Sequence, residues 1–328
     1  MSDDDERSSI ANSWFWSLCC RVLKAGHIPK HAAFIMDGNR RFAKKMQYER
    51  QQGHVLGFEK LAETLDWCLH LGIKEVTVYA FSVDNFKRSK EEVEGLMELA
   101  RQKFSQVLQK REFIMKHGIR VRVLGDHSLL PKDVLEQVAR VVTMSRDNNN
   151  AFLNVCFAYS SQHEMTEAVK RMATGIEEGL LQPSDITEDL LEQCLYTEDS
   201  PPPDLLIRTS GEVRLSDFLL WQSSYSCLSF QDVLWPEFSV WNLFSAILQY
   251  QKNYKSISEA KATFLTQRRN NQLEVDRNYL LQNDTSLAHP HELDTKISEL
   301  EHTREKRQRE FLAHLHHKQQ TYLESFVH

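Results

Sequence analysis

The stretch HAAFIMDGNRRFAKK, residues 31–45, ends an apolar run in Asp37 and follows it at once with Gly38, Asn39, Arg40 and Arg41. A continuous apolar run is expected of a strand covered on both faces, and Gly38 would begin the next helix. A helix start offers unpaired backbone N–H groups and the positive end of the dipole, which suits a phosphate. Arg40 and Arg41 add charge-assisted donors there. The carboxylate of Asp37 could hold Mg2+, which bridges diphosphate oxygens. The stretch is not a GxxxxGK[ST] phosphate loop. Taken alone, it fits two readings equally: a metal–diphosphate cradle, or a salt-bridged aspartate at a strand end with arginines in solvent.

Two other segments repeat the theme. FSVDNFKRS sets Ser82, Asn85 and Arg88 after a second strand, and IRTSGEVRLS sets Arg208, Ser210, Gly211, Arg214 and Ser216 after a later one. One anionic group would account for one such strand end. Three of them favour two neighbouring anionic groups, a bis-diphosphate site.

Such residues converge only if strands align them. Strands are predicted at 32–37, a continuous apolar run, at 75–82, at 119–126 by alternation, within 148–160 after an opening turn, at 204–210 and at 225–230. Helical periodicity separates them, at 54–71, 89–113, 131–145 and 162–178, with a helical turn or two at 215–223 and a helix at 239–254. Ser89 and Glu92 form a capping box, and Pro131 stands in a first turn. The β-α alternation predicts an α/β fold with a mainly parallel central sheet of about six strands flanked by helices. Sites in such sheets lie at the carboxyl ends of the strands.

Appendages flank this body. Residues 1–26 comprise an acidic tail, unlike a signal peptide, and a short amphipathic helix in which Trp14, Leu18 and Val22 recur at helical spacing. That helix fits packing on its own domain, a membrane-surface contact or a lid over an apolar site. Residues 27–254 form the catalytic body. From 255 to 328 the composition turns polar and charged and reads as a C-terminal helical extension, broken at NDTSLAHPHE. Its His314, His316 and His317 read as a solvated face rather than a metal site.

Composition narrows the function. A net charge of −6 over 328 residues argues against a general nucleic-acid binder. Six cysteines without CxxC or zinc-like spacing read as free thiols. No apolar run reaches the roughly 18–20 residues of a membrane span.

HAAFIMDGNRRFAKK, GHVLGF, YAFSVDNFKRS, IRTSGEVRLSDFLLWQ and VLWPEF, in that order over residues 31–252, resemble the signature regions of the cis-prenyltransferase, or undecaprenyl diphosphate synthase-like, family, and within it the eukaryotic dolichol-type enzymes. The resemblance implies repeated condensation of isopentenyl diphosphate onto farnesyl diphosphate with cis geometry, above a hydrophobic tunnel. It implies that Asp37 binds Mg2+ and assists departure of the allylic diphosphate. Gly38, Asn39, Arg40 and Arg41 would cradle that diphosphate, with His54 nearby. Arg88, Arg208, Arg214 and Ser216 would hold isopentenyl diphosphate, and Asn85 and Ser82 would position it for proton loss. The residue types suit this chemistry, because ionising an allylic diphosphate needs charge on the leaving group and no side-chain nucleophile. Phe58, Leu61, Leu65 and Trp67 on one helix, with Leu96, Leu99, Phe104 and Leu108 on another, could line the tunnel or belong to ordinary core.

The chain departs from single-subunit bacterial relatives in three places. Val213 stands where they carry a histidine, SYSCLSF with Cys227 stands where they carry a glutamate, and TQRRNNQLE stands where they end in an R-x-G tail. The departures imply a subunit completed in trans by a Nogo-B receptor-type partner, which would supply the R-x-G tail and peripheral attachment to the cytosolic face of the endoplasmic reticulum. The rivals are a self-sufficient homodimeric synthase and a non-catalytic prenyl-diphosphate-binding subunit.

Overall fold

The structure is a computed structural model that describes residues 14–283 and 290–327. The acidic N-terminal tail and most of the NDTSLAHPHE break lie outside the described residues. The chain divides into two compact units. One holds the residues up to Ser160 together with Pro202–Ile257, and the other holds Ser161–Pro201 together with the residues from Ser258 onward.

The first unit is built on a six-stranded, all-parallel sheet: β1 (His31–Ile35), β2 (Glu75–Ser82), β3 (Ile119–Leu124), β4 (Ala151–Tyr159), β5 (Leu205–Arg208) and β6 (Cys227–Phe230). Their order across the sheet is β3-β4-β2-β1-β5-β6. The fully buried run of β1 is what a central parallel strand requires. From β1 the chain first steps to β2 on one side, and it later returns to β5 on the other. The carboxyl end of β1 is therefore the switch point of the topology, where open α/β sheets form their crevice. In register, Ile35 stands opposite Tyr79 of β2 and Arg208 of β5. The three strand ends singled out by sequence belong to neighbouring strands.

Helices cover the sheet. The first, α1 (Trp14–Lys24), buries Trp16, Cys20 and Leu23, and Trp16 stacks on Phe244 at 5.1 Å. The stripe read from sequence, Trp14, Leu18 and Val22, lies on the opposite, exposed face. Next come α2 (Asn39–Lys45) and α3 (Arg50–Leu71). Close glycine packing joins these two helices, because a Cβ on Gly53 would lie 2.5 Å from the Asn39 carbonyl oxygen. The helix expected over 89–113 divides into α4 (Lys90–Gln109) and α5 (Arg111–His117). Helix α6 (Lys132–Ser145) follows β3.

One expected element is absent. Residues 215–223 form no helix but a chain of turns, with Ser216, Asp217 and Leu219 at φ of 50, 58 and 47°. Helical spacing was present there, but left-handed backbone cannot continue a right-handed helix.

In the second unit, α7 (Ser161–Glu177) and α8 (Glu188–Gln193) group with the later part of α9 (Val240–Asn283) and with α10 (Pro290–Glu324). Arg304 of α10 grips Asp276 of α9 through two hydrogen bonds of 2.8 and 2.5 Å. Arg307 grips Asp185 at 2.7 and 2.6 Å. His314 and His316 face Glu178 and Glu198 at 3.7 and 3.1 Å, so both meet carboxylates rather than solvent alone.

Candidate functional site

Asp37 sits just beyond β1, and its backbone is fixed from β5. The Thr209 hydroxyl donates to the Asp37 carbonyl at 2.7 Å and accepts from the Asp37 N–H at 3.1 Å. The Trp235 N–H adds a further bond to the same carbonyl at 3.0 Å. The carboxylate is divided between two donors: the Gly38 N–H reaches one oxygen at 2.7 Å, and Arg208 Nη2 reaches the other at 2.9 Å. Gly38 needs to be glycine, since its φ is 108° and a Cβ would stand 3.1 Å from the Leu234 Cα.

Arg208 is the buried pivot of the site, with its side chain only 3% exposed. Its Nη1 donates to the Ser216 hydroxyl at 2.7 Å and to the Arg214 carbonyl. The unusual turns after β5 thus fold around this guanidinium. Its Nε has no hydrogen-bond partner among the described residues. From within β2, the Tyr79 hydroxyl stands 3.3 Å from both the Ser216 and the Tyr159 carbonyls and donates between them.

The remaining arginines share two glutamates. Glu92, 14% exposed on α4, accepts from Arg88 at 2.9 Å and lies 3.6 Å from both Arg40 and Arg50. Glu212 pairs with Arg41 at 3.3 Å and also with Arg214. Arg41 donates in addition to the Ser210 hydroxyl. Five guanidinium groups therefore face two carboxylates, an imbalance suited to incoming anions.

His54, on the first turns of α3, senses the same field. Burial pulls its imidazole pKa down to about 4, and Arg88 and Arg40 push the same way against Glu92. The ring is neutral at ordinary pH, and its Nε2 is buried without a partner among the described residues. Unpaired buried polar atoms are scarce in folded proteins and call for an explanation such as a ligand.

Ser82 and Asn85 cap a short 3-10 helix, Val83–Lys87. The Ser82 hydroxyl accepts from the Asp84 N–H, and the Asn85 carboxamide oxygen accepts from the Ser82 N–H, both at 3.2 Å. Asn39 donates to the Met36 carbonyl at 3.4 Å. Direct contacts thus join Asp37, Gly38, Arg208, Arg214 and Ser216. Glu92 ties Arg40 to Arg88, and Glu212 ties Arg41 to Arg214. Sequence reading missed Glu212, Thr209 and Tyr79, and gave Glu92 only a capping role, whereas its carboxylate turns to the arginines and only the Ser89 half of the cap forms. Glu92 and Glu212 carried a signal: Glu92 stands in the first turn of a helix whose N-cap directly follows Arg88, and Glu212 stands between two arginines.

No group of three or more His, Cys, Asp or Glu side chains suited to a metal occurs among the described residues. A lone carboxylate such as Asp37 fits Mg2+, which commonly takes one or two carboxylates and completes its shell with phosphate oxygens and water. At the departures noted above, Val213 is 75% exposed. The Cys227 thiol is buried and pushed up in pKa, so it does not substitute for a carboxylate. Arg268 of TQRRNN lies against Glu188, Asp189 and Glu192 at 3.1, 2.6 and 3.0 Å within the second unit.

The apolar candidates on α3 and α4 divide. Phe104 meets Phe157, and Leu61 joins the core. Trp67 turns toward Phe238 at 6.5 Å. Phe58 and Leu65 on α3 are half-buried and pack against the same core, while Leu96, Leu99 and Leu108 on α4 are half-buried.

A family described as "Putative undecaprenyl diphosphate synthase" matches residues 35–258. The human dehydrodolichyl diphosphate synthase complex subunit DHDDS is 62% identical over 79% of this chain and 78% of its own length. A tritrans,polycis-undecaprenyl-diphosphate synthase (geranylgeranyl-diphosphate specific) of Pyrococcus abyssi is 47% identical over 70% of this chain and 87% of its own length. Among solved structures, lavandulyl diphosphate synthase from Lavandula x intermedia, in complex with dimethylallyl diphosphate, superposes with a TM-score of 0.64 at 35% identity. That match covers 68% of this chain and 95% of that one.

Proposed function

The chain belongs to the undecaprenyl diphosphate synthase-like family of prenyltransferases, and on that premise we propose that it condenses isopentenyl diphosphate repeatedly onto farnesyl diphosphate. The product is a long-chain polyprenyl, or dehydrodolichyl, diphosphate of the kind that feeds dolichol synthesis and protein glycosylation. The observation that carries this reading is the Asp37–Arg208 pair at the switch point of the sheet, ringed by arginines that outnumber their carboxylates.

In this reading the allylic diphosphate lies over Gly38, Asn39, Arg40 and Arg41, beside His54. Isopentenyl diphosphate lies toward Arg88, Arg208, Arg214 and Ser216. Asp37 would hold Mg2+, which supplies positive charge to the departing diphosphate. The arginines withdraw from Glu92 and Glu212 to the substrate oxygens and stabilise the same developing charge. Ser82 and Asn85, fixed at the end of β2, position the condensing carbon for proton loss.

Val213 adds no donor to the turns after β5, and Cys227 begins β6 opposite Leu205, at the far end of the strands from Asp37, so this chain brings neither of the two expected donors to the metal, which supports completion in trans. The partner would be a Nogo-B receptor-type subunit that contributes an R-x-G tail and peripheral attachment at the endoplasmic reticulum. No described helix is long and apolar enough to cross a membrane. The test is Mg2+-dependent incorporation of labelled isopentenyl diphosphate into farnesyl-primed product, for the chain alone and with the partner. High activity only with the partner is the expected outcome, and equal activity without it would overturn the trans-completed site. Asp37→Ala should cut turnover by about 10²–10³-fold while partner binding persists. Surviving turnover would overturn the metal assignment.

A further inference from the structure

The turns at 215–219 carry strained backbone at the rim of the site. Ser216, Asp217 and Leu219 have φ of 50, 58 and 47°, and Ser216 is exposed. Left-handed backbone outside glycine persists only where its surroundings over-determine it. Arg208 supplies one constraint, through Nη1 to the Ser216 hydroxyl at 2.7 Å and to the Arg214 carbonyl. That bond fixes the side chain of Ser216. Its carbonyl and the residues that follow are fixed from β2.

Tyr79 is the second constraint. Its hydroxyl lies between the Ser216 and Tyr159 carbonyls, 3.3 Å from each. Its ring stacks on Phe218 at 4.6 Å, with the planes 16° apart, and Tyr159 meets both rings edge-on at 6.1 and 6.0 Å. Phe218 is fully buried, so this aromatic cluster ties the turn to the sheet just beyond Ser216. Directly after Tyr79 the pairing of β2 with β4 slips, between Tyr79 and Phe81 and again between Phe81 and Ser82. Such irregularities re-aim side chains beside sites. Burial, the largest influence on the Tyr79 phenol, pushes its pKa up, and the Ser82 side chain, near enough to bond it, pulls the other way. Tyr79 therefore stands between Ser82 at one strand end and Ser216 beyond another.

We propose that Tyr79 is a positioning residue for the second substrate: it holds the left-handed turn so that the Ser216 hydroxyl meets Arg208 where isopentenyl diphosphate arrives. The inference rests on the prenyl-diphosphate reading of the site and gives Tyr79 no contact with the reacting atoms. Its effect is confined to one substrate, because the Asp37 backbone is fixed by Thr209 and the Trp235 N–H and not by this turn.

The test is steady-state kinetics of the chain co-purified with the partner subunit, for wild type, Tyr79→Phe, Ser216→Ala and the double variant. Phenylalanine keeps the stack on Phe218 and removes the hydroxyl alone, and KM for farnesyl diphosphate serves as the internal check of folding. Tyr79→Phe should raise KM for isopentenyl diphosphate by about three- to tenfold, the share of one hydrogen bond read as affinity. It should leave kcat and KM for farnesyl diphosphate unchanged. In the Ser216→Ala background the same change should add almost nothing, because a residue that acts through another is not additive with it. A wild-type KM for isopentenyl diphosphate in Tyr79→Phe would overturn the assignment while the function stands. A matched rise in both KM values, the mark of a general disturbance, would overturn it as well, and so would full additivity with Ser216→Ala. A wild-type complex that elongates no farnesyl diphosphate would overturn the prenyl-diphosphate reading, and the role of Tyr79 with it.

Discussion

Arginines do opposite things in the two units. In the second, Arg304 and Asp276 are both nearly buried and matched one to one through paired hydrogen bonds, and Arg304 also reaches the Ser184 carbonyl at 3.1 Å. Arg307 and Asp185 repeat the pattern. At the strand ends of the first unit, five arginines share Glu92 and Glu212, several at the longer separations of 3.3–3.6 Å, and most are partly solvated. A closed pair has no capacity left for a ligand. An outnumbered carboxylate holds its arginines only until a better anion arrives. Counting charges would not separate the two regions; the ratio of partners and the geometry do.

The largest expected effect breaks the closed pair. Arg304→Ala leaves the Asp276 carboxylate, 2% exposed, buried with no guanidinium, which costs about 3–5 kcal/mol. Urea unfolding should show that loss, and Arg304→Met with Asp276→Leu should recover most of it, because a well-packed apolar pair of similar volume is near neutral. If Arg304→Ala proved as stable as wild type, the pair would not be the clamp its geometry indicates.

The next effect sharpens the open region. His54 has its pKa lowered to about 4 from 6.5 in the folded chain. Between those values the unfolded chain binds a proton that the folded chain refuses, so stability falls as pH drops from 6.5 toward 4. The difference between wild type and His54→Gln isolates this contribution, at most about 3 kcal/mol. Bound pyrophosphate places negative charge beside the ring, favours the imidazolium and should shrink the acid loss. An acid loss of equal size in His54→Gln would show that the ring is not the group responsible.

Much of this was legible in the sequence for identifiable reasons. Strand β1 announced itself as a continuous apolar run, because a parallel strand covered on both faces tolerates little else, whereas the edge strand β3 showed as alternation with arginines. Asp37, Arg208 and their neighbours stood out because polar residues cluster where such runs stop. The structure adds that the three stops belong to adjacent strands, β2, β1 and β5, which only the sheet order reveals. Residues 215–223 misled, since periodicity records side-chain spacing and not the left-handed backbone that Arg208 organises there. The α1 stripe misled for a related reason: Trp14, Leu18 and Val22 share a face, but Trp16, Cys20 and Leu23 share another, and packing against Phe244 selected the second. Thr209 and Tyr79 left no trace, because their work depends on which strand lies alongside.

The smallest effect tests the comparison most directly. Arg214 is mostly solvated, and its carboxylate partner Glu212 also serves Arg41. An exposed pair of this kind contributes about 0–1 kcal/mol, so Arg214→Gln should leave the urea midpoint nearly unchanged. The same substitution should weaken isopentenyl diphosphate by about tenfold, the share of one charge-assisted contact to an anion. Arg304→Ala should do the reverse, with a large loss of stability and little change in pyrophosphate affinity at temperatures where the chain stays folded. A stability loss at Arg214 as large as that at Arg304 would make the strand-end arginines structural, and the distinction between closed and open pairs would fail. Weakened substrate in a chain of unchanged stability is the behaviour of an arginine whose true partner is the anion that Glu212 stands in for.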